Sequence, residues 1–378
     1  MKIYRAYKFR LYPNEEQKIL IHKTFGCVRL VYNYYLAYQK KNGVVKPYTL
    51  CKNLKELEME KEFLKEVDVC SLRCAIFDLA DGFNNYFAKR GKYPKFKSKF
   101  SRQSYRTNCI RRKYKEKDYS NIEVDVLKRY IKLPKLGKVR IRGYRNQERI
   151  EGRIINVSII KEKSNKYYAS VIVEEELLKE KVNPSTIVGI DLGIKDLVVT
   201  SDGIKYRNEK VLVQYEKRIR RLQKKLSRQI KGSKNYEKTR EKLARIHEKI
   251  KNRRRQYLND IANEIVEEHD IIVTEDLKVN EMLKGKEKGL NKSIIDASFR
   301  KICCLIEWKS KIKGKYYYKI NSYYPSSQIC SHCGYQNKGI RNLSIRGYEC
   351  PNCGGYNDRD INASINILME GLKLHYQH

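Results

Sequence analysis

The chain has 378 residues, enough for two or three domains and a substantial core. Its 82 Lys and Arg against 44 Asp and Glu leave a formal charge of +38. With 41% hydrophobic and 33% charged residues it is too apolar for a disordered polycation and too charged for a membrane protein.

The charge calls for an acidic partner. Nucleic acid is the expected one, and a basic surface that only confers solubility is the weaker alternative. No apolar run nears the roughly 18 residues of a bilayer span. The opening Met1–Lys8 mixes charge into its apolar residues, unlike a signal peptide, so a soluble protein of the cell interior is expected. Eleven cysteines, an odd number, argue against a disulfide framework there.

In chain order, Ile3, Tyr7 and Phe9 alternate with Lys2, Lys8 and Arg10, the period of a half-buried strand whose apolar face Arg5 interrupts. Pro13-Asn14-Glu15-Glu16 then opens a helix carrying Ile19, Leu20, Phe25, Val28, Val31, Tyr32, Tyr35 and Leu36, closed by Gly43 to Pro47. Further helices are predicted over about 50–64 and 71–87. Residues 90–117 hold 12 Lys and Arg and one acid, Glu116, interleaved with Tyr93, Phe96, Phe100, Tyr105 and Tyr114. Cations contact phosphates and aromatics stack on bases, so this segment is a candidate strand-tracking surface; otherwise it is a solvated loop. Short alternating runs from Tyr130 to Val173 read as antiparallel sheet.

Asn183-Pro184-Ser185 marks a boundary. Beyond it, Ile187–Asp191 is a buried-type strand, followed by 197–200 and the turn Ser201-Asp202-Gly203. Two amphipathic helices follow, with stripes Tyr215, Ile219, Leu222, Leu226 and Leu243, Ile246, Ile250, Tyr257, broken at 231–235; residues 215–256 carry a net +14. That density points to nucleic-acid contact. Ile271–Asp276 is a second buried-type strand, Phe299–Ile312 a helix, and Ile361, Ile365 and Leu368 mark a final helix that Asp360 is placed to cap.

Two constellations carry chemistry. Asp191, Glu275 and Asp360 each end a buried strand or open a helix, where a carboxylate is costly unless paired or bound to metal. If they converge, they form an all-oxygen site for hard divalent ions, the arrangement that two-ion phosphodiester hydrolysis needs. Each acid alone is as compatible with a cap or a turn. The second is Cys330-x2-Cys333-x16-Cys350-x2-Cys353, four thiolates for one closed, structural, tetrahedral Zn²⁺ site. His332 sits inside the first knuckle as a neighbour, and the other seven cysteines, in apolar or helical surroundings, read as small buried thiols. The remaining histidines, His22, His247, His269, His375 and His378, form no cluster in the sequence.

Tyr7-Lys8-Phe9-Arg10-Leu11-Tyr12-Pro13, Gly189-Ile190-Asp191-Leu192-Gly193-Ile194, Thr274-Glu275-Asp276-Leu277, Tyr324-Pro325-Ser326-Ser327-Gln328-Ile329-Cys330 and Asp358-Arg359-Asp360-Ile361-Asn362-Ala363 together resemble the TnpB family of insertion sequences, relatives of type V CRISPR effectors. The resemblance runs over nearly the whole chain. It implies a mixed α/β architecture: an RNase H-like (RuvC) nuclease core at 183–320 and 357–378, an inserted zinc ribbon at 321–356, a helical recognition domain at 11–100 and a β-rich wedge domain at 1–10 and 101–182. It implies a metal-binding catalytic triad of Asp191, Glu275 and Asp360 using two Mg²⁺. It also implies a guide RNA transcribed from the transposon end, and target double-stranded DNA with a short flanking motif, cut at a single site in a prokaryotic cytoplasm, in association with the nucleoid. Sequence choice would then rest on base pairing. Two other functions remain compatible with the sequence: an RNA-guided DNA-binding regulator without cleavage, and transposase-type strand transfer.

Overall fold

The computed structural model describes residues 2–114, 117–143, 150–177, 182–283, 288–342 and 344–377. The chain divides into two compact units, Met1–Leu177 and Leu178–His378, parting just ahead of Asn183-Pro184-Ser185.

In the first unit β1 (Lys2–Tyr12) buries Ile3, Tyr7, Phe9 and Leu11 and turns Lys2, Tyr4 and Tyr12 outward, as strand alternation requires. Arg5 is accommodated on the inner face by Glu175, 3.3 Å away on a neighbouring strand. Helix α1 (Glu15–Asn42) begins with a reciprocal capping box between Asn14 and Gln17 and stops at Gly43. Most of its apolar residues enter the core, but Ile19 lies on the outer face, 59% exposed. Helix α2 (Pro47–Glu60) gives way to a 3₁₀ turn at Glu62–Glu66, so the helix expected to run to residue 64 is two pieces. Helix α3 (Val69–Phe87) is capped by Asp68.

The basic segment 90–117 is not one open surface. Tyr93, Phe96 and Phe100 are exposed, whereas β2 (Gln103–Asn108) is a sheet strand with Tyr105 buried. The short hairpin β3 (Arg111–Tyr114) and β4 (Lys117–Ser120) follows, with residues 115–116, including Glu116, outside the described residues. Strands β5 (Glu123–Asp125), β6 (Tyr130–Leu133), β7 (Gly137–Arg142), β8 (Arg153–Lys161) and β9 (Tyr167–Glu176) complete an antiparallel sheet of order β2-β8-β9-β1-β7-β6-β5. The three helices and this sheet share one hydrophobic core, in which Phe25, Val31, Tyr35, Leu72 and Ile76 meet Phe9, Ile131, Val157 and Val171.

The second unit is built on β10 (Ile187–Asp191), β11 (Asp196–Thr200) and β12 (Lys205–Arg207), then the helical hairpin α4 (Val211–Ser227) and α5 (Lys234–Glu268). Next come β13 (Ile271–Glu275), the short α6 (Val279–Met282), α7 (Lys288–Ala297), α8 (Phe299–Ile312) and β14 (Tyr316–Ile320). A small ribbon with β15 (Gly347–Glu349) and β16 (Tyr356–Asp358) leads into α9 (Arg359–Tyr376). The strand order is β12-β11-β10-β13-β14, with β10, β13 and β14 mutually parallel and β11 and β12 antiparallel. Both faces are covered, which is why β10 and β13 read as unbroken apolar runs. On one face α5 and α8 bring Leu258, Ile261, Ile265, Phe299 and Ile302 against Val188, Ile190 and Ile272. On the other, Ile367 of α9 packs with Ile271, Val273 and Ile320.

Asp270 sets the register of the parallel pair. Its Oδ2 accepts from the backbone N–H groups and hydroxyls of Ser185 and Thr186 at 3.0–3.3 Å, and Lys315 lies 3.2 Å from its other oxygen. Those bonds hold its carboxyl well below the usual carboxylate range. Among the described residues no helix is long and apolar enough to cross a membrane. All eleven cysteines are free thiols; Cys27, Cys74 and Cys303 are buried, while Cys304, expected inside, is exposed.

Candidate active site

The register of β10 on β13 pairs Ile190 with Thr274. Asp191 and Glu275 are the next residues of their strands and leave the sheet edge side by side. Period-2 alternation places Gly189 and Asp191 on one face of β10, and α9 covers that face. A Cβ on Gly189 would lie 2.0 Å from the carbonyl oxygen of Ser364 and 2.7 Å from Leu368 Cβ. Only glycine lets the helix rest on the strand at this distance. Asp360 stands one helical turn before Ser364, so the close approach aims the first turn of α9 at Asp191.

Asp360 does not cap α9. The N-cap is Asp358, whose Oδ1 accepts from the backbone N–H of Asp360 at 3.1 Å and of Ile361 at 3.2 Å, while Lys205 Nζ sits 2.6 Å from Oδ2. With the cap supplied by its neighbour, Asp360 projects from the first turn with its side chain 19% exposed. There its two oxygens lie 3.2 Å from Nη1 of Arg346, which is supplied by the ribbon.

Like-charge repulsion couples Asp191 to the other two acids. Burial, then the carboxylates of Glu275 and Asp360, push Asp191 up to about 7. Burial also raises Glu275, against a hydrogen bond from Ser326 Oγ to Glu275 Oε1 at 2.6 Å. Negative charge is thus concentrated at one end of the sheet with Arg346 as the cation at Asp360. A set of carboxylate oxygens strained in this way fits a hard divalent ion. Among the described residues the four cysteines close into a compact ligand group and the three carboxylates do not; Asp360 faces Arg346.

Cys330, Cys333, Cys350 and Cys353 have their sulfurs within 4.8 Å of one another, with 3.8 Å between Cys330 and Cys353 and 3.7 Å between Cys333 and Cys350. Four sulfurs at 2.3 Å from zinc stand about 3.8 Å apart along the edges of a tetrahedron. The geometry fits a closed Zn²⁺ site. Each knuckle is the same turn: Gly334 N–H donates to Cys330 O and Gly354 N–H to Cys350 O, both glycines at positive φ. Side-chain amides of Asn352 and Asn357 point at the sulfurs of Cys333 and Cys330, outer-shell donors of the kind that tune thiolates. Four residues around the site escaped the sequence reasoning. Ser326 and Arg346 in the ribbon and Asn362 and Asn366 on α9 carry no spacing signal of their own, although Ser326 and Asn362 lie in motifs quoted for the family.

The order of strands, three antiparallel and then two parallel, with acids at the ends of the first and fourth and on the covering helix, defines an RNase H-like core interrupted by a zinc ribbon. Models described as "Probable transposase" and "Cas12f1-like, TNB domain" match residues 158–286 and 299–367. A third, described as "Helix-turn-helix domain", matches residues 1–42, which here are one strand and one long helix. A Streptomyces pristinaespiralis protein named "Putative RNA-guided DNA endonuclease" is 33% identical over 98% of this chain and 90% of its own length. The Escherichia coli K12 protein "Putative RNA-guided DNA endonuclease InsQ" is 31% identical over 98% of this chain and 93% of its own. Among solved structures, the chain in the Cas12f1-sgRNA-target DNA complex aligns over 97% of this chain and 98% of its own with a TM-score of 0.59 and 13% identity. The mini-RNA-guided endonuclease CRISPR-Cas_phi3 gives 0.51 over 98% and 92% at 10% identity. Both share the fold. The chain belongs to the TnpB (OrfB) family.

Proposed function

We propose that this chain is an RNA-guided DNA endonuclease of an insertion sequence, with Asp191, Glu275 and Asp360 as its one carboxylate site. The observation that carries this is the convergence of β10, β13 and α9, where burial and then its two acidic neighbours raise Asp191 to about 7, in a chain related along 98% of its length to proteins named for that activity.

Two Mg²⁺ ions are the proposed cofactors. When bound at such a carboxylate set, divalent ions supply Lewis acidity toward the scissile phosphate and a lowered pKa for the attacking water. The protein's own part is to hold and orient. The β10–β13 register fixes Asp191 beside Glu275, Gly189 brings Asp360 to them, and Asp358 takes the helix-capping duty that would otherwise engage Asp360. One closed Zn²⁺ in the ribbon is structural, because four cysteines leave no open position. A guide RNA from the transposon end and target duplex DNA with a short flanking motif are the proposed partners, in the cytoplasm near the nucleoid. The 1–10 and 101–182 sheet, helices within 11–100, core 183–320 with 357–378, and ribbon 321–356 are the proposed wedge, recognition, RuvC and zinc modules.

The α4–α5 hairpin is suited to backbone contact. Arg221, Lys224, Lys225 and Arg228 line a surface cavity of about 410 Å³ on α4, a cluster that attracts phosphate regardless of sequence. Purified protein with its co-purifying RNA is expected to cleave matched DNA in Mg²⁺ and not in EDTA. Asp191→Ala should abolish cleavage while leaving RNA and target binding intact; persistent cutting by that variant would overturn the site. Joined rather than cleaved products would point to strand transfer.

A further inference from the structure

Between β14 and the first zinc knuckle the chain makes a tight turn. Ser326 N–H donates to Tyr324 O at 2.8 Å, and Gln328 N–H and Ile329 N–H donate to Pro325 O at 2.9 and 3.3 Å. Ser326 is 6% exposed. Its hydroxyl gives Glu275 a 2.6 Å hydrogen bond, in the short range of hydroxyl to carboxylate.

What holds the turn is α9. Asn366 Nδ2 donates to Ser326 O at 2.8 Å and Ile329 O at 2.6 Å. One turn earlier, Asn362 Nδ2 donates to Ile329 O at 2.7 Å and its Oδ1 accepts from Ser331 N–H at 2.8 Å. Both asparagines are almost wholly buried. A buried amide is costly unless satisfied, and these are satisfied by the turn's backbone. The helix that presents Asp360 therefore grips the turn whose hydroxyl holds Glu275, and one brace spans two of the three acids.

We propose that Ser326 is a positioning residue for Glu275, itself fixed by Asn366 from the helix of Asp360. If the asparagines served only to fasten the ribbon, the side chain at 326 would be free to vary. The hydroxyl instead occupies one carboxylate oxygen, fixing the plane of the group and the direction of its remaining lone pairs. The inference rests on Glu275 being a metal-holding acid of the proposed nuclease.

The test uses the full chain with its co-purifying RNA and Mn²⁺ as the probe, reading Mn²⁺ affinity by electron paramagnetic resonance and the metal concentration for half-maximal cleavage. Ser326→Ala is expected to raise the Mn²⁺ dissociation constant and the half-maximal metal concentration by about 10–100-fold, with the rate largely recovering at saturating metal and RNA binding unchanged. Ser326→Thr keeps the hydroxyl and should stay close to wild type. Asn366→Ala should shift both readouts in the same direction, by less. Wild-type Mn²⁺ affinity and metal dependence in Ser326→Ala would overturn the proposal. Should that variant fail to fold, Ser326→Cys keeps the volume, weakens the donor and should give an intermediate shift; wild-type behaviour there would overturn the proposal equally. Glu275→Gln, run in parallel, separates the two levels: if it binds Mn²⁺ and cleaves normally, the site assignment fails, whatever Ser326 does.

Discussion

Replacing Gly189 by alanine would place a methyl carbon 2.0 Å from Ser364 O and 2.7 Å from the Leu368 backbone nitrogen and Cβ. The obstacles are helix backbone and a Cβ, so no rotamer change relieves them. Ordinary contact lies near 3.5 Å, and α9 must retreat by about 1.5 Å. Overpacking of this kind costs about 1–3 kcal/mol, a melting shift of about 2–4 °C per kcal/mol for a unit of this size. The larger effect falls on the site. Asp360 lies one turn from the collision, and a misplacement of about 1 Å can cost roughly a hundredfold in rate. Single-turnover cleavage of a matched duplex should therefore fall about a hundredfold while RNA binding holds. Gly371→Ala is the control. Its Cβ would strike Val273 Cγ1 at 2.2 Å, so it carries a comparable stability cost three turns from Asp360, and the rate should fall much less. Wild-type cleavage by Gly189→Ala, or equal losses in the two variants, would refute the helix-aiming argument.

Asp191, raised to about 7 by burial and by Glu275 and Asp360, retains its proton in the metal-free protein at mildly acidic pH. Its effect on stability is thus absent below the unfolded carboxyl value near 3.9, grows as pH rises, and is complete above about 7. Asp191→Asn should raise the metal-free melting temperature at pH 8 and barely change it at pH 4, as read by scanning calorimetry. Divalent binding should weaken as pH falls below 7, with proton release measurable by calorimetry in buffers of different ionisation enthalpy. Cys350→Ser should reduce bound zinc from one equivalent toward none by metal analysis and unfold the ribbon. Lys224→Ala with Lys225→Ala should weaken RNA binding and flatten the slope of log affinity against log salt by about 0.7–0.9 per lost phosphate contact.

Much of the second unit is legible because its signals are local. Ile187–Asp191 and Ile271–Glu275 are apolar runs that end in acid, and Phe299–Ile312 has a clean helical period; each appears as an element with nearly those bounds. The cysteine quartet is legible for the same reason, since its spacing is itself the geometry of the turn. Other features depend on contacts between distant segments. Tyr316–Ile320 has no apolar alternation, with Lys319 beside its three tyrosines, and is fixed as a strand by pairing with β13. Within the basic stretch, Gln103–Asn108 is drawn into the sheet by β8, an outcome that charge content conceals. The sequence points to Asp360 as the cap of the final helix, and the duty passes to Asp358 when α9 meets the sheet. Ser326 gains its role because Asn366, 40 residues later, fixes its backbone. The proposed guide RNA is invisible in composition, which requires an acidic partner and nothing more specific.

The close seat of α9 on β10 joins segments about 170 residues apart in the chain. A chain made in order exposes the glycine-bearing face of β10 throughout synthesis of the hairpin, α8 and the ribbon, and the Val273 face of β13 from the end of the hairpin onward. Such late, non-local closure is slow and leaves apolar surface open meanwhile. It also means that the third acid arrives only after the zinc knuckles have been made, so an unfinished chain has two carboxylates without their partner and cannot assemble the proposed site.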